Sequence, residues 1–400
     1  MSPTLTLTRS SSLVRSRIEK LKEHLSEAPF DAVLVFSAAN VDYASGYRSV
    51  GAAVHGTPAI AMLVTPRASL MVGPVADSAP AFDAGVPEHE FVAYGRFYFE
   101  SSAGSSRATR LVDQHPDYQS ALAAAVAQLD LGSGTIGLDE KSMPSELRGA
   151  LAEALPGARW SDASDWLSAV RAQKLPEEVS LLQRSARVAE GGIVAALEAV
   201  RPGVTERELA TIVANTMIDG GLEPRFTVVT SGERSALADA YATDRVIGRG
   251  DLIRFDIGGT LDGYWSDIGR TAVVGDPTDK QRQYYDAILA AEEVQLAYAR
   301  PGVRASELFD RAVAAVERGG GPSPYRRQHC GHGIGLTTYE PPIVRPGDDG
   351  ELLPGMVFCF ETPYYELGWG GMMVEDALVI TETGCTRLTD RARGLTVVSA

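Results

Sequence analysis

The sequence predicts an α/β N-terminal domain followed by an α+β C-terminal domain that contains an internal duplication. Short β-like runs alternate with helical stretches in the first part of the chain, a proline marks a boundary near residue 176, and a nine-residue pattern recurs in the second part. A length of 400 residues with 44% hydrophobic residues is sufficient for two hydrophobic cores. We therefore expect domains at residues 1–172 and 176–400.

The N-terminal part alternates between β-like runs and helical stretches, which favours an α/β domain. The helical stretches run from Leu13 to Leu25 and from Tyr118 to Leu129. The boundary to the next domain lies near Pro176, a residue suited to the first position of a helix. The β-like runs are Asp31–Phe36, Ala59–Val64, Ser69–Val72 and Thr135–Leu138.

The C-terminal part carries a repeat that indicates duplication. Arg201-Pro-Gly-Val-x-x-x-Glu-Leu209 recurs as Arg300-Pro-Gly-Val-x-x-x-Glu-Leu308. Pro-Gly after a helix is a common stop signal, but a shared nine-residue pattern in two halves goes beyond such a signal. Each copy follows a helix with one apolar face. The two faces consist of Val179, Leu182, Ala186, Ala189, Ile193, Ala196 and Val200, and of Tyr284, Ala287, Ile288, Ala291, Val294 and Tyr298.

Asp262-Gly263 predicts a tight hairpin, because a two-residue type I′ turn requires positive φ at both central residues. Leu261 then pairs with Tyr264. The continuing register makes Asp256 a diagonal neighbour of Asp267 on one face, about 7–8 Å away between backbones. Two such carboxylates can reach metal ions about 3.5–4 Å apart. Two solvated aspartates on an edge hairpin are the alternative.

Three further candidate ligands follow in the sequence. His332 lies between glycines, which let the backbone approach a crowded site closely. Glu361 and Glu375 occur in apolar, strand-like runs, where an unpaired carboxylate carries a heavy desolvation cost. Such carboxylates need a cation, a proton or a dense shell of hydrogen bonds. Four carboxylates and one imidazole suit Mn²⁺, with Co²⁺, Zn²⁺ or Fe²⁺ as alternatives and Ca²⁺ less suited.

The order and spacing of the candidate ligands resemble those of the pita-bread metallopeptidases, which include prolidase (Xaa-Pro dipeptidase), aminopeptidase P, methionine aminopeptidase and the metal-free creatinase. The matching residues are Asp256, Asp267, His332, Glu361 and Glu375. Asn40–Tyr47 also resembles a segment of the creatinase-type N-terminal domain, which methionine aminopeptidase lacks. The resemblance implies a pita-bread C-terminal domain with a pseudo-two-fold duplication and two divalent metal ions near the sheet between its halves.

The resemblance also implies an activity, the hydrolysis of an amide bond. In this family a water or hydroxide that bridges the two ions attacks the carbonyl, while the metals polarise the carbonyl oxygen and bind the free amine. Glu361 is the residue expected to handle the proton. Two-domain relatives form dimers in which the N-terminal domain covers a neighbouring active site, so a homodimer is the expectation carried over.

The chain departs from Xaa-Pro peptidases around the ligand set. Asp239 and Tyr339 stand where the family usually has histidines that hydrogen-bond substrate and transition state. Gln328 stands at a third histidine position, beside His329, and Met373 replaces an arginine two residues before the last ligand. Tyr339 can still donate one hydrogen bond, whereas Asp239 would attract a cation such as a substrate ammonium. We expect these residues to line the substrate site, with Tyr339 and Asp239 contributing to catalysis.

Three functions remain open on this sequence. The first is an Xaa-Pro peptidase that has diverged around its site. The second is a family member that hydrolyses a non-dipeptide amide or C–N bond in a molecule carrying an amine but not the usual carboxylate. The third is a non-catalytic binding module, which the complete ligand set disfavours because retired sites generally lose ligands first.

Composition limits the partners further. The net charge of −15 disfavours nucleic acids and anionic membranes. The small peptide or amide expected as the substrate is what the family resemblance implies. No apolar run approaches the ~20 residues that span a bilayer, and the N-terminus lacks a continuous apolar signal region, so we expect a cytoplasmic enzyme. Cys330, Cys359 and Cys385 are odd in number and lack close metal spacing, which argues against a disulfide scaffold.

Overall fold

The structure is a computed structural model that describes residues 11–55, 60–99, 114–143, 145–201 and 203–399. Residue contacts divide the chain into two compact units, one ending at Val170 and the other beginning at Arg171. Each unit contains its own β-sheet and its own cluster of buried apolar side chains. Within the ranges just given, no helix is long and apolar enough to cross a membrane.

Helices and strands alternate along the first unit, which confirms the predicted α/β class. The helices are α1 (Ser11–Ser26), α2 (Ala38–Ser45), α3 (Val50–His55), α4 (Val75–Asp83), α5 (Tyr118–Gln128), α6 (Ser145–Ala154) and α7 (Ser164–Ala172). The strands are β1 (Ala32–Val35), β2 (Ala61–Val64), β3 (Ser69–Pro74), β4 (Phe91–Tyr94), β5 (Gln114–His115), β6 (Thr135–Leu138) and β7 (Arg159–Asp162).

These strands form one mixed sheet in the order β5-β4-β3-β2-β1-β6-β7. Strand β2 is antiparallel to both of its neighbours, and the other adjacent strands are parallel. The sheet buries Leu34 and Leu63, and α5 contributes Leu122 and Val126 to the same core. All four β-like runs of the sequence contain a strand, although Ala59 lies outside the described residues. Strands β4, β5 and β7 were not predicted: β5 and β7 are the short edge strands of the sheet, and β4 is a run of only four residues, too short for a clear periodic signal.

The second unit contains four helices and the strands of a large sheet within its described residues. The helices are α8 (Pro176–Glu198), α9 (Glu206–Asp219), α10 (Asp279–Tyr298) and α11 (Ala305–Arg318). The strands are β8 (Glu223–Ser231), β9 (Leu252–Leu261), β10 (Tyr264–Trp265), β11 (Ile268–Val274), β12 (Gly331–Gly333), β13 (Glu340–Ile343), β14 (Val357–Glu361), β15 (Tyr364–Glu366), β16 (Gly370–Met372), β17 (Glu375–Ile380), β18 (Cys385–Arg387) and β19 (Thr396–Val398).

The main path of the large sheet is β10-β9-β11-β17-β14-β12-β13, with β8 on β9, β19 on β11 and β18 on β17. Strands β15 and β16 form a separate hairpin. Pro176 occupies the first turn of α8, as the sequence predicts. The helix pairs α8–α9 and α10–α11 repeat the same arrangement, a long helix followed by a helix of 14 residues.

The repeated sequence pattern forms the connection within each helix pair. Gly203 and Gly302 both have positive φ, 89° and 82°, so each copy needs glycine to turn the chain. Leu209 and Leu308 are both fully buried on the short helix that follows. The repeated pattern therefore marks a duplicated helix–turn–helix unit, and it is more than a signal that ends a helix.

The buried face of α10 differs slightly from the predicted face. Tyr285 is fully buried, whereas Tyr284 is only partly buried. Two polar residues also lie on the buried face, because Glu292 pairs with Arg393 at 3.0 Å and Gln295 donates to a backbone carbonyl at 2.7 Å. The spacing of apolar residues gives no signal for polar residues that are buried together with hydrogen-bond or ion-pair partners.

Candidate metal centre

The hairpin that carries the first two aspartates has the predicted register. Asp262-Gly263 forms the turn with φ values of 51° and 86°. Leu261 pairs with Tyr264, and the same register continues into β11, where Asp256 pairs with Gly269. The positive φ values satisfy the requirement of a type I′ turn, so local sequence is sufficient to fix this register.

Neighbouring strands place acidic residues in one row across the sheet. Gly269 on β11 lies opposite Asp256 on β9 and opposite Glu375 on β17. Glu375 in turn lies opposite Glu361 on β14. Directly opposed residues project from the same face, and Asp267, two residues before Gly269, shares that face. Four carboxylates from distant parts of the chain therefore face one another.

His332 joins this cluster from β12, the strand beside β14. Its Nδ1 lies 3.0 Å from the carbonyl oxygen of Gly333, so this nitrogen carries the proton and donates it. The lone pair of Nε2 then faces Asp267 Oδ2 at 3.7 Å and Glu375 Oε1 at 3.9 Å. The ligand atoms of these three residues all lie within 4.8 Å of one another.

The donor set fits a bound cation. His332 Nε2 and Glu375 Oε1 are buried and have no hydrogen-bond partner in the described part of the chain. A buried acceptor without a donor costs about 1–3 kcal/mol, and a lone pair facing two carboxylates adds repulsion. A divalent ion would remove both costs.

The electrostatics of three carboxylates also favour a cation. Burial, followed by the charges of Asp256 and Glu361, raises the pKa of Asp267 well above its usual range. Burial and the neighbouring Asp267 do the same to the pKa of Glu375. Burial raises the pKa of Asp256 to about 6, although the guanidinium of Arg254 opposes this rise. These acids therefore hold their protons more tightly than solvated acids do, unless a cation takes the place of the protons.

Glu361 differs from the other three carboxylates. Burial would raise its pKa, but the neighbouring imidazole of His329 and the charge of Arg327 hold that pKa below its usual value. His329 Nδ1 lies 3.1 Å from Glu361 Oε1, and Arg327 Nη2 lies 3.4 Å from Glu361 Oε2. The carboxylate is therefore ionised and held on both oxygens.

A buried guanidinium lies beside Asp256. Arg254 is fully buried on the same face of β9 and lies 3.0 Å from Asp256 Oδ2. It also donates to three backbone carbonyls of the segment Ser235–Ala238 at 2.5–2.9 Å, and it lies 3.5 Å from Met373 Sδ. Met373 is only 1% exposed, so the expectation that its side chain lines the substrate site is corrected: it packs beneath Arg254.

The other predicted substrate residues lie at more accessible positions. Tyr339 is 53% exposed, yet its ring stacks on His332 with centroids 3.9 Å apart. The ring of His329 lies 5.5 Å from that of Tyr339. Asp239 and Gln328 are both exposed, and the charge of Asp239 acts on Asp256. Among these five residues, the structure thus brings His329 and Tyr339 directly against the cluster.

Three residues near the cluster, Arg254, Arg327 and Tyr365, were not predicted from the sequence. The ring centroid of Tyr365 lies 5.2 Å from the guanidinium carbon of Arg254 and 5.7 Å from that of Arg327. Arg254 stands two residues before Asp256 in a strand, so alternation could have placed it on the ligand face. Arg327 lies in irregular structure, where no periodic signal is available.

Comparisons with known proteins agree with this geometry. Residues 180–382 match Metallopeptidase family M24, and residues 17–173 match the Creatinase/Prolidase N-terminal domain. An Xaa-Pro dipeptidase of Pyrococcus furiosus is 37% identical over 58% of this chain and 67% of its own length. An Xaa-Pro dipeptidase of Pyrococcus horikoshii is 29% identical over 96% of this chain and 99% of its own length.

Solved structures share the fold over nearly the whole chain. An X-Pro aminopeptidase of Thermotoga maritima superposes with a TM-score of 0.80 at 26% identity, covering 95% of this chain and 99% of that one. The similarity includes both units, and the family match spans the strands that carry the acidic row. The chain therefore belongs to Metallopeptidase family M24 and is a peptidase with a creatinase/prolidase-type N-terminal domain.

Proposed function

We propose that the chain is a dinuclear-metal-dependent dipeptidase that hydrolyses Xaa-Pro dipeptides. The observation that carries this proposal is the buried cluster of Asp267, His332 and Glu375, in which two acceptor atoms face one another without a donor. The relatives named Xaa-Pro dipeptidase support this substrate class.

The proposed metal site uses every acidic residue of the row, together with His332. The residues that would hold two divalent ions, Mn²⁺ in the first instance, are Asp256, Asp267, His332, Glu361 and Glu375. When bound, such ions would lower the pKa of a coordinated water and polarise the substrate carbonyl. Their charge would also offset the repulsion among the buried carboxylates.

Glu361 is suited to transfer the proton. Its depressed pKa leaves it ionised at neutral pH, so it can accept a proton from the attacking water. The same proton can then pass to the leaving nitrogen of the scissile amide. The contacts with His329 and Arg327 fix both oxygens of the carboxylate during this exchange.

Tyr339 and Asp239 are proposed to bind the substrate. Burial and the neighbouring carboxylates raise the pKa of Tyr339, so its hydroxyl stays protonated and can donate a hydrogen bond to the developing oxyanion. Asp239 is exposed and ionisable, which suits it to attract the substrate ammonium. Gln328 and His329 lie in the segment that precedes His332 and complete the proposed substrate surface.

The domain bounds and the assembly are part of the proposal. We take 1–172 as the creatinase-type domain and 176–400 as the catalytic domain, with a homodimer as the expected assembly. Size-exclusion chromatography with light scattering tests the assembly, because a mass of one chain would contradict a dimer.

The proposed activity is tested with a panel of substrates and added Mn²⁺. We expect kcat/KM to be highest for Xaa-Pro dipeptides, lower for longer Xaa-Pro peptides and lowest for dipeptides without proline. Hydrolysis of amine-bearing amides without hydrolysis of any Xaa-Pro dipeptide would support the altered-specificity alternative instead.

Glu361→Gln provides the matched variant for this panel. It preserves the shape of the side chain and removes its ability to accept a proton. We expect the variant to remain folded and to lose at least about 100-fold in kcat, the lower range of a general acid–base contribution. Turnover close to that of the unmodified protein would contradict the assigned role.

A further inference from the structure

We propose that Arg327 forms a subsite for an anionic group of the substrate, the C-terminal carboxylate of the dipeptide. This inference rests on the proposed function, because it names the group by which the substrate is held. It differs from the altered-specificity alternative, in which the substrate lacks a carboxylate.

Arg327 is a guanidinium with unused donors beside the acidic row. Its side chain is 13% exposed, and its one polar partner within the described part of the chain is Glu361, at 3.4 Å. Its Nε is buried and has no hydrogen-bond partner among the described residues. A guanidinium carries five N–H donors in a planar fork, and leaving a buried donor unpaired costs free energy. The site therefore has an unmet requirement for an acceptor.

Arg254, in the same region, makes the contacts expected of an arginine with a purely structural role. Both guanidinium groups lie near the ring of Tyr365, at 5.2 Å for Arg254 and 5.7 Å for Arg327. Arg254 is fully buried and makes contacts through all three of its nitrogens, with Asp256, Met373 and three backbone carbonyls. Arg327 retains some exposure and keeps donors free, which favours a group that arrives with the ligand.

The charge balance of the site also favours a ligand with a negative group near Arg327. Two divalent ions would neutralise the four carboxylates of the row, which leaves the charges of Arg254 and Arg327 in excess. The exposed carboxylate of Asp239 acts on Asp256, next to Arg254, and offsets one of these charges. A ligand with a negative group near Arg327 and an ammonium near Asp239 therefore complements the site. A free dipeptide carries both groups.

A carboxylate is the anion that this geometry favours. The planar fork of arginine binds a carboxylate through two parallel hydrogen bonds, which lysine cannot reproduce. Met373, at the position where relatives carry an arginine, has an uncharged side chain, and its sulfur is buried against Arg254. Among the described residues beside the row, Arg327 is thus the cation with donors available to such a group.

The inference is tested by comparing Ala-Pro with Ala-Pro amide, in which the carboxylate is replaced by a neutral carboxamide. In the unmodified, Mn²⁺-loaded protein we expect kcat/KM for Ala-Pro to exceed that for the amide by at least tenfold. In Arg327→Met we expect Ala-Pro to lose about tenfold to 100-fold, mainly through KM, the loss of a charge-assisted pair. For the amide we expect KM to change by no more than about twofold, because it carries no carboxylate, whereas the fall in kcat caused by the lost contact with Glu361 should be equal for the two substrates.

Arg300→Met serves as the matched control. Arg300 also lies over a tyrosine ring, with its guanidinium carbon 4.9 Å from the centroid of Tyr298, but it is outside the acidic row. This variant should hydrolyse both substrates as the unmodified protein does. Equal losses for Ala-Pro and its amide in Arg327→Met would overturn the inference, because they would mean that Arg327 only supports Glu361.

Two further outcomes separate the inference from the proposed function. Equal hydrolysis of Ala-Pro and its amide by the unmodified protein would overturn the subsite and leave the peptidase proposal standing. Hydrolysis of neither would contradict the peptidase proposal itself. In that case, calorimetric measurement of the binding of free proline to the Mn²⁺-loaded protein still tests the subsite. We expect the Kd for proline to rise at least about tenfold in Arg327→Met. An unchanged Kd would overturn the inference about Arg327.

Discussion

The phenol ring of Tyr339 stacks on the imidazole of His332, with ring centroids 3.9 Å apart and planes inclined by 23°. This contact covers one face of the histidine whose Nε2 faces Asp267 and Glu375. Tyr339 is nevertheless 53% exposed, so it combines a contact with the cluster and access to solvent. The stack therefore joins the proposed metal ligands to the solvent-exposed surface.

Tyr339→Phe separates the hydroxyl from the stack. We expect kcat for Ala-Pro to fall by about 30-fold or more, because one donor to the transition state is worth roughly 2–4 kcal/mol in a preorganised site. Metal affinity should be unchanged, since the ring is retained. Tyr339→Ala should weaken Mn²⁺ binding in addition. Steady-state kinetics and metal titration check both variants, and unaltered kcat in Tyr339→Phe would remove the hydroxyl from the mechanism.

Arg254 is expected to be essential for stability. Replacing it with Met leaves Asp256 without its buried partner and releases the segment Ser235–Ala238. Breaking a buried ion pair typically costs about 3–5 kcal/mol, so the free energy of unfolding in urea should fall by that amount. Arg201→Met, at an exposed pair with Glu208, should cost less than about 1 kcal/mol.

The double variant Arg254→Met with Met373→Arg tests whether a guanidinium at position 373 can replace the one at position 254. The two side chains touch at 3.5 Å, so the exchanged pair occupies nearly the same space. We expect it to recover part of the stability lost in Arg254→Met. Additive losses from the two substitutions would show instead that the contacts of Arg254 with backbone carbonyls dominate.

The metal-free protein should lose stability as the pH rises. The folded-state pKa values of Asp256, Asp267 and Glu375 are raised above those of unfolded acids, by burial in the first place. The folded state therefore holds protons that the unfolded state releases, and its advantage disappears as the pH rises through the folded-state pKa. For Asp256 this interval ends at a pKa of about 6, and for the other two it extends higher.

Differential scanning calorimetry of chelator-treated protein between about pH 5 and about pH 7 checks this dependence, with a decrease in Tm expected across the interval. Saturating Mn²⁺ should reverse the trend, because the ligands must be deprotonated to bind metal. A Tm of the metal-free protein that rises across the same interval would contradict the assigned shifts.

Glu375→Gln should have opposite effects on the two forms. In metal-free protein, at a pH where Glu375 is ionised, it removes one of the charges that repel each other, so we expect an increase in stability. Mn²⁺ should then raise Tm far less than it does in the unmodified protein. Glu382→Gln, an exposed residue on the turn before β18, should alter neither value. Destabilisation of the metal-free protein by Glu375→Gln would contradict the repulsion argument.

Local sequence was sufficient for the hairpin and the duplication. The Asp262-Gly263 turn fixes the register that pairs Asp256 with Gly269, and the repeated glycines of positive φ fix the helix connections. The row of carboxylates also depends on pairings between distant strands, such as Glu361 with Glu375, which no local rule provides. The resemblance to a family supplied that step.

The roles of the arginines could not be obtained in this way. Because Met373 stands where relatives have an arginine, the sequence suggested that the site lacks a positive charge. In the structure, however, Arg254 lies against the sulfur of Met373, and Arg327 lies against Glu361. Both contacts join residues far apart in sequence, and the position of Arg327 depends on a loop without periodic signal. Substrate-facing chemistry was therefore less predictable than the ligand set.

The central claim is that this acidic row holds the divalent ions required for dipeptide hydrolysis. Calorimetric titration of chelator-treated protein with Mn²⁺, with release of proline from Ala-Pro measured at each point, tests it most directly. We predict binding of about two ions per chain and activity that increases with occupancy. Failure to bind Mn²⁺, Co²⁺, Zn²⁺ or Fe²⁺, or full activity in the metal-free protein, would contradict the account.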